Sequence, residues 1–292
     1  MTPLLPRDAL AGKSIALSAS ETADLGRLGF VQAHFHLALA EITRCVLVAG
    51  GAFAYGGHLK PGGLTSFLIN ELERYGRKDQ SFMICLCWHV HRGMSLADLD
   101  QNRHLLGLFG RLVLLDLEGE ELASGNSDRT SAPETIADDA TKSKGLTSLR
   151  RFMAKKTAGR VVIGGKRSGF EGAMPGLIEE ALTTLEAGGA LYVVGGFGGV
   201  AVDIARALDI DDGSWLPVLS EAADPRLTAG LETLRAFAAK PGWRGLDNGL
   251  SAEENRRLAV SYRPSEIAAL ISLGLGRKIQ DGGPPIATQG KP

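Results

Sequence analysis

Long hydrophobic runs are missing from this sequence. No apolar stretch approaches the ~20 residues that a helix needs to cross a bilayer, and no secretory leader precedes the first predicted strand. Cysteine is scarce, and Cys45, Cys85 and Cys87 all lie in strand-like runs. These features predict a cytoplasmic protein with reduced thiols, for which any membrane association needs a partner.

An excess of charge of either sign is also missing. The chain carries 32 Lys and Arg against 33 Asp and Glu, which gives a formal net charge of -1. It therefore has no global attraction to nucleic acid or acidic lipid, although a local basic patch is compatible with this balance. We expect neither a membrane nor a nucleic acid as partner. The 292 residues are enough for one large α/β domain or two small ones.

Glycine, in contrast, is abundant and clusters behind apolar runs. The 38 glycines are about twice the usual share of roughly 7%. In residues 160–176 a β-branched strand at 161–163 precedes a glycine-rich turn, and apolar residues at helical spacing follow from Leu177. The same pattern recurs at 190–208 and at 44–73. It predicts an α/β fold with an open, mostly parallel sheet flanked by helices.

The glycine turns are the candidate ligand site. In a parallel open sheet they emerge at the carboxyl edge, where several can converge on one ligand, and unpaired backbone N–H groups at a helix start bind phosphate or carboxylate oxygens well. One such turn is ambiguous, because its glycines can serve backbone geometry alone, but three favour a nucleotide-sized site. The candidate ligand-binding residues are Ser18, Ser20, Gly50, Gly51, Tyr55, Gly56, Gly57, Lys60, Gly164, Gly165, Lys166, Arg167, Gly172, Met174, Pro175, Gly176, Glu179, Gly195, Gly196, Phe197, Gly198 and Gly199.

Several of these side chains have a chemical role in the predicted site. Lys166 and Arg167 are expected to neutralise a pyrophosphate that the backbone amides of the turns approach. Tyr55 or Phe197 is expected to stack on a base.

Hydroxyls and carboxylates near the turns have both a structural and a ligand role open to them. Ser18 and Ser20 end the first predicted strand, where a first βα loop donates to phosphate or ribose, and Ser20 equally suits a turn cap. Glu179 and Glu180 lie early in a predicted helix, where they favour the helix dipole. One of them is also placed to accept hydrogen bonds from ribose hydroxyls.

The run at 81–91 reads as a buried strand along which Cys85, Cys87, His89 and His91 alternate. The spacing superficially matches a zinc site. Structural zinc sites, however, pair C-x₂₋₄-C with a distant second pair, and nothing distant completes this one. We therefore predict no metal and place His89 and His91 at the ligand edge of the sheet.

The remaining chain predicts one nucleotide-binding domain and an extension. Acidic residues break the strand and helix pattern at 118–145, which reads as a solvated excursion or a lid. Helical patterns follow at 146–156, 226–239, 252–260 and 265–275. We divide the chain into a nucleotide-binding domain at 1–210 and a C-terminal helical extension at 211–292 that packs on the same domain.

Four motifs together resemble the SLOG superfamily, which joins sirtuin-like, DNA-processing and Lonely Guy (lysine-decarboxylase-like) proteins. The first is 15–20, and the second is 55–63 with Thr65. The third combines Gly164 and Gly165 with 172–176, Glu179 and Glu180. The fourth is 195–199. The resemblance covers roughly residues 13–210 and implies a Rossmann-like, doubly wound fold. It also implies ligands such as nucleotides, NAD and ADP-ribose derivatives, and a similarity to bacterial sensors of anti-phage systems such as Thoeris, in which a TIR enzyme makes a cyclic or modified ADP-ribose signal.

The enzymatic Lonely Guy branch carries P-G-G-x-G-T-x-x-E, whose glutamate assists N-glycosidic cleavage. In this chain Val194 stands in place of the proline, Gly199 of the threonine and Val202 of the glutamate. Valine neither transfers a proton nor stabilises an oxocarbenium-like charge. Asp203 is one position further on, about 100° away around a helix. This departure argues against that activity.

The sequence therefore favours a binding protein that senses a nucleotide-derived ligand, NAD, ADP-ribose or a cyclic ADP-ribose-like signal, in bacterial anti-phage defence. It is expected to need no cofactor, to form a homo-oligomer and to act with a TIR or effector partner. The alternative is a nucleotide N-glycosidase that uses Glu171, Glu179 or Glu180. A redox enzyme is a weaker third hypothesis, because the first βα turn lacks G-x-G-x-x-G.

Overall fold

A computed structural model describes residues 8–57, 59, 63–75, 81–107, 109–123, 131–135, 138–216, 224–243 and 245–282. Within them six strands form one sheet. The strands are β1 Ser14–Ser20, β2 Ala52–Gly56, β3 Phe82–Leu86, β4 Gly110–Leu114, β5 Gly159–Gly164 and β6 Ala190–Val194. The described helices are α1 Asp24–Arg27, α2 Gln32–Val48, α3 Leu64–Tyr75, α4 Trp88–Arg92, α5 Leu96–Leu106, α6 Asp139–Lys156, α7 Gly176–Glu186, α8 Val200–Ala207, α9 Pro225–Ala238, α10 Ala252–Val260 and α11 Pro264–Gly282.

The sheet is parallel throughout, with strand order β4-β3-β2-β1-β5-β6. The chain builds outward from β1 to the β4 edge and then returns to place β5 on the other side of β1. This reversal makes the carboxyl ends of β1 and β5, where Ser20 lies beside Gly164, the topological switch point of the fold. The predicted Rossmann-like α/β fold is confirmed.

Helices cover both faces of the sheet. The larger core lies on the face that carries α2, α3, α5 and α11, around Ile15, Leu17 and Ile163. On the opposite face α6 packs over β1 to β3, and α7 and α8 pack over β5 and β6. Burial of strands on both faces explains their continuous apolar sequences, which lack the alternation of a half-exposed strand.

The three C-terminal helices pack on this framework. Helix α9 contacts α7 and α8, α10 contacts β6, and α11 contacts α2. Asn248, which is fully buried ahead of α10, donates to the carbonyl of Leu191 in β6 at 2.7 Å and accepts from the backbone N–H of Leu250. The division of the chain at residue 210 stays a prediction.

The predicted strand at the start of 44–73 was wrong. Residues 44–48 are the last turns of α2, because Phe35, Ile42 and Val46 continue a buried helical stripe. The strand of this unit is β2, which begins only at Ala52. Gly50 and Gly51 therefore connect a helix to the amino end of a strand, at the edge of the sheet opposite the other predicted turns.

The predicted strand at 81–91 was too long. Strand β3 ends at Leu86, and α4 begins at Trp88. Cys85 lies in the strand, whereas His89 and His91 lie on the short helix. The alternation that resembled a zinc site is therefore absent. In the described part of the chain, no group of three or more His, Cys, Asp or Glu side chains is arranged to hold a metal ion.

The acidic excursion is shorter than 118–145, because α6 already begins at Asp139. Asp138 caps this helix, since its carboxylate accepts the backbone N–H groups of Ala140 and Thr141. Before it, Glu121 pairs with Leu115 in an antiparallel bridge. Residues 124–130 and 136–137 of the predicted excursion lie outside the described residues. None of the described helices has the length and apolarity needed to span a membrane.

Candidate functional site

The turns that leave β1, β5 and β6 meet at the switch point and contact each other directly. Gly165 donates its backbone N–H to the carbonyl of Ser20 at 2.9 Å, and Val200 donates to the carbonyl of Gly165 at 3.2 Å. Three predicted site residues, Ser20, Gly165 and Gly199, are thus brought together. The β1, β5 and β6 turns form one packed unit.

The glycines in this unit are required by the close approach of the turns. Gly164 and Gly199 have φ angles of 70° and 71°, which L side chains rarely adopt. A β-carbon at Gly164 would lie 2.3 Å from the carbonyl oxygen of Ser20, and one at Gly199 would lie 2.5 Å from that of Gly165. Backbone geometry alone therefore accounts for these two glycines.

Asp24 of α1 occupies the position where a helix start is expected to receive an anion. One oxygen of its carboxylate accepts the backbone N–H of Gly199, which caps α8, at 2.7 Å and the Arg167 Nη1 group at 2.6 Å. Its side chain is only 1% exposed. A β-carbon at Gly198 would lie 2.4 Å from the Asp24 β-carbon. The β6–α8 turn is thus closed by a carboxylate of the protein itself.

Arg167 is held by a second carboxylate as well. Its Nε group donates to Asp203 at 2.6 Å, and its Nη2 group donates to the carbonyl of Gly199 at 2.9 Å. Burial favours a raised pKa for Asp24, but hydrogen bonds from Gly199 and Arg167 outweigh it and lower the pKa. Burial dominates at Asp203 and raises its pKa. The charge of Arg167 is therefore already balanced, so in this conformation it is committed to protein contacts.

The other residues of the β6–α8 turn lie under the end of α10. A β-carbon at Gly195 would lie 2.4 Å from the carbonyl oxygen of Ala259, and one at Gly196 would lie 2.0 Å from that of Ser261. Phe197 is fully buried, with its ring 5.5 Å from that of Phe30. A base therefore has no access to Phe197 here.

The end of β2 contributes Tyr55, Gly56 and Gly57 at the carboxyl edge. Gly56 faces α6, since a β-carbon there would lie 2.8 Å from the sulfur of Met153, and Gly57 lies against the ring of Tyr55. Burial, with the nearby Glu180 charge, raises the pKa of Tyr55. Lys60 lies outside the described residues.

Ser18 lies deeper than expected. It is 3% exposed, and its hydroxyl accepts from Nη1 of the fully buried Arg160 at 2.6 Å. Arg160 also donates to Thr184 at 2.8 Å and lies 3.8 Å from a Glu180 oxygen. Ser18 and Glu180 thus belong to a buried polar group between the sheet and α7.

Glu179, in the first turn of α7, is buried beneath the β5–α7 turn. Its carboxylate accepts from Thr147 and forms an ion pair with Arg150. Arg150 in turn lies below Gly176, where an added β-carbon would be 3.0 Å from Nη2. Glu179 is therefore engaged by α6. The predicted residues nearby are Gly172 beside Arg150, Met174 against α9 and Pro175 as the N-cap of α7.

The β5–α7 turn carries the exposed groups of the site. Lys166 is exposed. The Glu171 side chain is 61% exposed, and its carboxylate lies 3.7 Å from Nε2 of His89. Arg226 of α9 lies over the ring of Phe170, 4.3 Å from its centroid, and donates to the carbonyl of Gly172 at 3.1 Å. The turn is therefore fixed to the body of the protein at several points.

Two residues of this edge were missed from the sequence. Asp24 gives no local signal, because its main partner Gly199 is 175 positions away. Tyr262 follows α10 and is the half-exposed aromatic at this edge, with a ring 5.4 Å from that of Phe30. A groove of about 920 Å³ lies elsewhere, along α6, and none of the predicted site residues lines it.

The position that corresponds to the Lonely Guy glutamate is buried. Val202 is 2% exposed inside α8, and the next residue, Asp203, is engaged by Arg167 and Arg206. Neither residue presents a carboxylate to a ligand at the carboxyl edge.

Comparison with known proteins identifies the family. A family model described as SLOG cluster2 matches residues 9–258, which include the whole sheet and run through most of α10. A search of curated proteins found no match. The length of the family match and the Rossmann-like sheet agree, and the chain belongs to the SLOG cluster2 family.

Proposed function

We propose that this protein is a sensor that binds a nucleotide-derived ligand and does not cleave it. Membership of the SLOG cluster2 family indicates a nucleotide-related function. The ligand we propose is NAD, ADP-ribose or a cyclic ADP-ribose-like signal, read in bacterial anti-phage defence together with a TIR or effector partner. The observation that carries the choice of a sensor over an enzyme is the buried Val202 in place of a catalytic glutamate.

The closed turns support a sensing role. A phosphate that is to reach the backbone N–H of Gly199 must displace the carboxylate of Asp24, because both occupy the same donor. Asp24 lies on α1, so ligand entry here moves α1 away from α8. Such a movement couples occupancy to conformation, since a ligand shifts an equilibrium by its differential affinity for the two states. Lys166, exposed on the adjacent turn, is available to meet the incoming charge.

Titration calorimetry tests this proposal. We expect saturable heat with at least one of ADP-ribose, NAD and cyclic ADP-ribose, and a weaker response from Lys166→Ala. The matched control is Lys240→Ala, which removes an exposed lysine that follows the end of α9. Absence of heat with all three ligands contradicts the proposal, as does equal weakening by the two variants.

A second function is favoured by one specific contact. His89 and Glu171 lie side by side at the carboxyl edge, with 3.7 Å between Nε2 and a carboxylate oxygen. An imidazole and a carboxylate at a ligand edge are the groups that general acid–base cleavage of an N-glycosidic bond uses. Chromatography of NAD and nucleoside monophosphates after incubation separates the two functions. A released base that Glu171→Gln abolishes establishes the enzyme, whereas intact ligands support the sensor.

A further inference from the structure

The groove along α6 is separate from the carboxyl edge and from the proposed nucleotide site. One wall is the outer side of α6, and the other is the turn after β4 that contains Glu118 and Glu120. The turn is joined to the helix by Ser148, whose hydroxyl donates to the carbonyl of Leu117 at 2.9 Å. A groove of about 920 Å³ is within the size range of ligand sites.

The two walls carry opposite charges, and the protein itself pairs two of the three glutamates on the acidic wall. Lys144 Nζ lies 2.5 Å from a Glu118 oxygen, and Arg111 Nη1 lies 2.7 Å from a Glu121 oxygen. On the helix wall, three lining cations have no ion pair with any described residue. They are Arg151, Lys155 and Lys156. After internal pairing, the groove therefore retains three cations against one exposed carboxylate.

The groove is long. Its lining on α6 runs from Ala140 to Lys156, a length of about 24 Å at ~1.5 Å per residue. An extended strand of about seven residues spans the same length at ~3.3 Å per residue.

We propose that the α6 groove, lined by the helix face from Ala140 to Lys156 and by residues 118–121, binds an extended acidic peptide segment of a partner protein. The carboxylates of the segment face Arg151, Lys155 and Lys156. Phe152 lies between these cations in the chain, with the Lys156 ammonium 5.6 Å from its ring centroid. This interaction is independent of the nucleotide-binding proposal.

The acidic wall selects a peptide over a nucleic acid. A polyanion that fills the groove lies against Glu120, the exposed carboxylate that remains without an ion pair to a described residue, and this like-charge contact opposes binding. A peptide can instead direct its carboxylates to the helix wall and its backbone N–H groups to the glutamates.

Fluorescence polarisation tests the inference with three labelled probes. They are a seven-residue peptide of alternating glutamate and alanine, the same peptide with glutamine for glutamate, and a ten-base-pair RNA duplex. We expect the glutamate peptide to bind at least about tenfold more tightly than the glutamine peptide, and binding to weaken as salt screens the charges. No binding of the glutamate peptide at 1 mM, equal affinity for the two peptides, or tighter binding of the duplex overturns the inference.

Charge reversal locates the site. The Arg151→Glu/Lys155→Glu double variant should weaken the glutamate peptide at least about tenfold, since two attractive contacts become repulsive. The Arg103→Glu/Lys240→Glu variant makes the same change of net charge at exposed positions outside the groove and should bind as the unmodified protein does. Equal loss in both variants overturns the inference. Lys155→Gln, a mild change at an exposed position, is measured in parallel in case the double variant fails to fold. It should weaken binding by about threefold.

Discussion

Replacement of Asp24 by alanine tests whether the carboxylate joins the turns at the switch point. The side chain is 1% exposed and holds Gly199, Arg167 and Arg27 through contacts of 2.7, 2.6 and 3.1 Å. Removal of one partner of a buried ion pair costs about 3–5 kcal/mol. Because Arg167 keeps Asp203 as a partner, we expect a loss near the lower limit, about 3 kcal/mol of unfolding free energy.

Urea unfolding followed by circular dichroism at pH 7 measures this loss. Asp100→Ala is the control, because Asp100 forms an ion pair with Arg103 but is 64% exposed, and exposed pairs contribute about 0–1 kcal/mol. Asp24→Asn should fall between the two, since the amide oxygen can still accept from Gly199 while the charge is gone. A loss below about 1 kcal/mol for Asp24→Ala, the size expected of an exposed pair, would show that the carboxylate does not join the turns.

The contribution of Asp24 to the unfolding free energy should depend on pH, and the same variants measure this dependence. The pKa of Asp24 is below its ordinary value of 3.8 in the folded protein, so the folded state favours the ionised carboxylate. Its contribution is therefore complete above pH 3.8 and is lost as the pH falls below that value. The difference in unfolding free energy between the unmodified protein and Asp24→Asn should narrow below pH 4. A difference that widens on acidification has the wrong sign.

Three further predictions follow from the contacts around the site. Gly199→Ala should destabilise the protein by at least about 2 kcal/mol more than Gly169→Ala. Both glycines have positive φ, but only at Gly199 does a backbone atom lie 2.5 Å from an added β-carbon. Equal melting temperatures of the two variants would contradict this prediction. Arg150→Ala leaves Glu179 buried and should cost about 3–5 kcal/mol in urea unfolding, whereas a cost below that of Asp100→Ala argues against the ion pair. Burial raises the pKa of Cys85 to about 12 and that of Cys87 to about 11. A disulfide reagent at pH 8 should therefore modify both thiols slowly in the native protein and rapidly in urea. Rapid modification of the native protein would contradict their burial.

The parts of the fold that could be predicted from the sequence depend on residues that are close together in the chain. The units around β5 and β6 combine a β-branched strand, a glycine turn and an amphipathic helix within thirty or so residues, and both were predicted in place. The strand at the start of the unit 44–73 was predicted wrongly, since the run of Val46, Leu47 and Val48 suits a strand and a buried helix end equally. The helical spacing from Phe35 decides the matter, and it becomes visible only when the run is read together with the residues before it.

The arrangement of the site depends on contacts between distant residues. A glycine turn behind a strand suits both an open anion site and a closely packed turn. Which one forms at Gly199 depends on Asp24, and no pattern in the sequence links the two. Likewise Glu179 reads as a helix-dipole residue from its position, but its partner Arg150 comes from the preceding helix. Sequence therefore predicts which loops meet, whereas the structure decides which of their groups are already engaged.

Hydrogen exchange at the backbone N–H of Gly199 measures whether Asp24 closes the β6–α8 turn and whether a ligand replaces it. We expect slow exchange in the free protein, because Asp24 holds this group in a buried hydrogen bond. With saturating ADP-ribose, NAD or cyclic ADP-ribose, α1 should exchange faster while Gly199 stays protected by the ligand that replaces Asp24. Identical exchange of α1 and of residues 195–200 with and without every one of these ligands would show that none of them displaces Asp24.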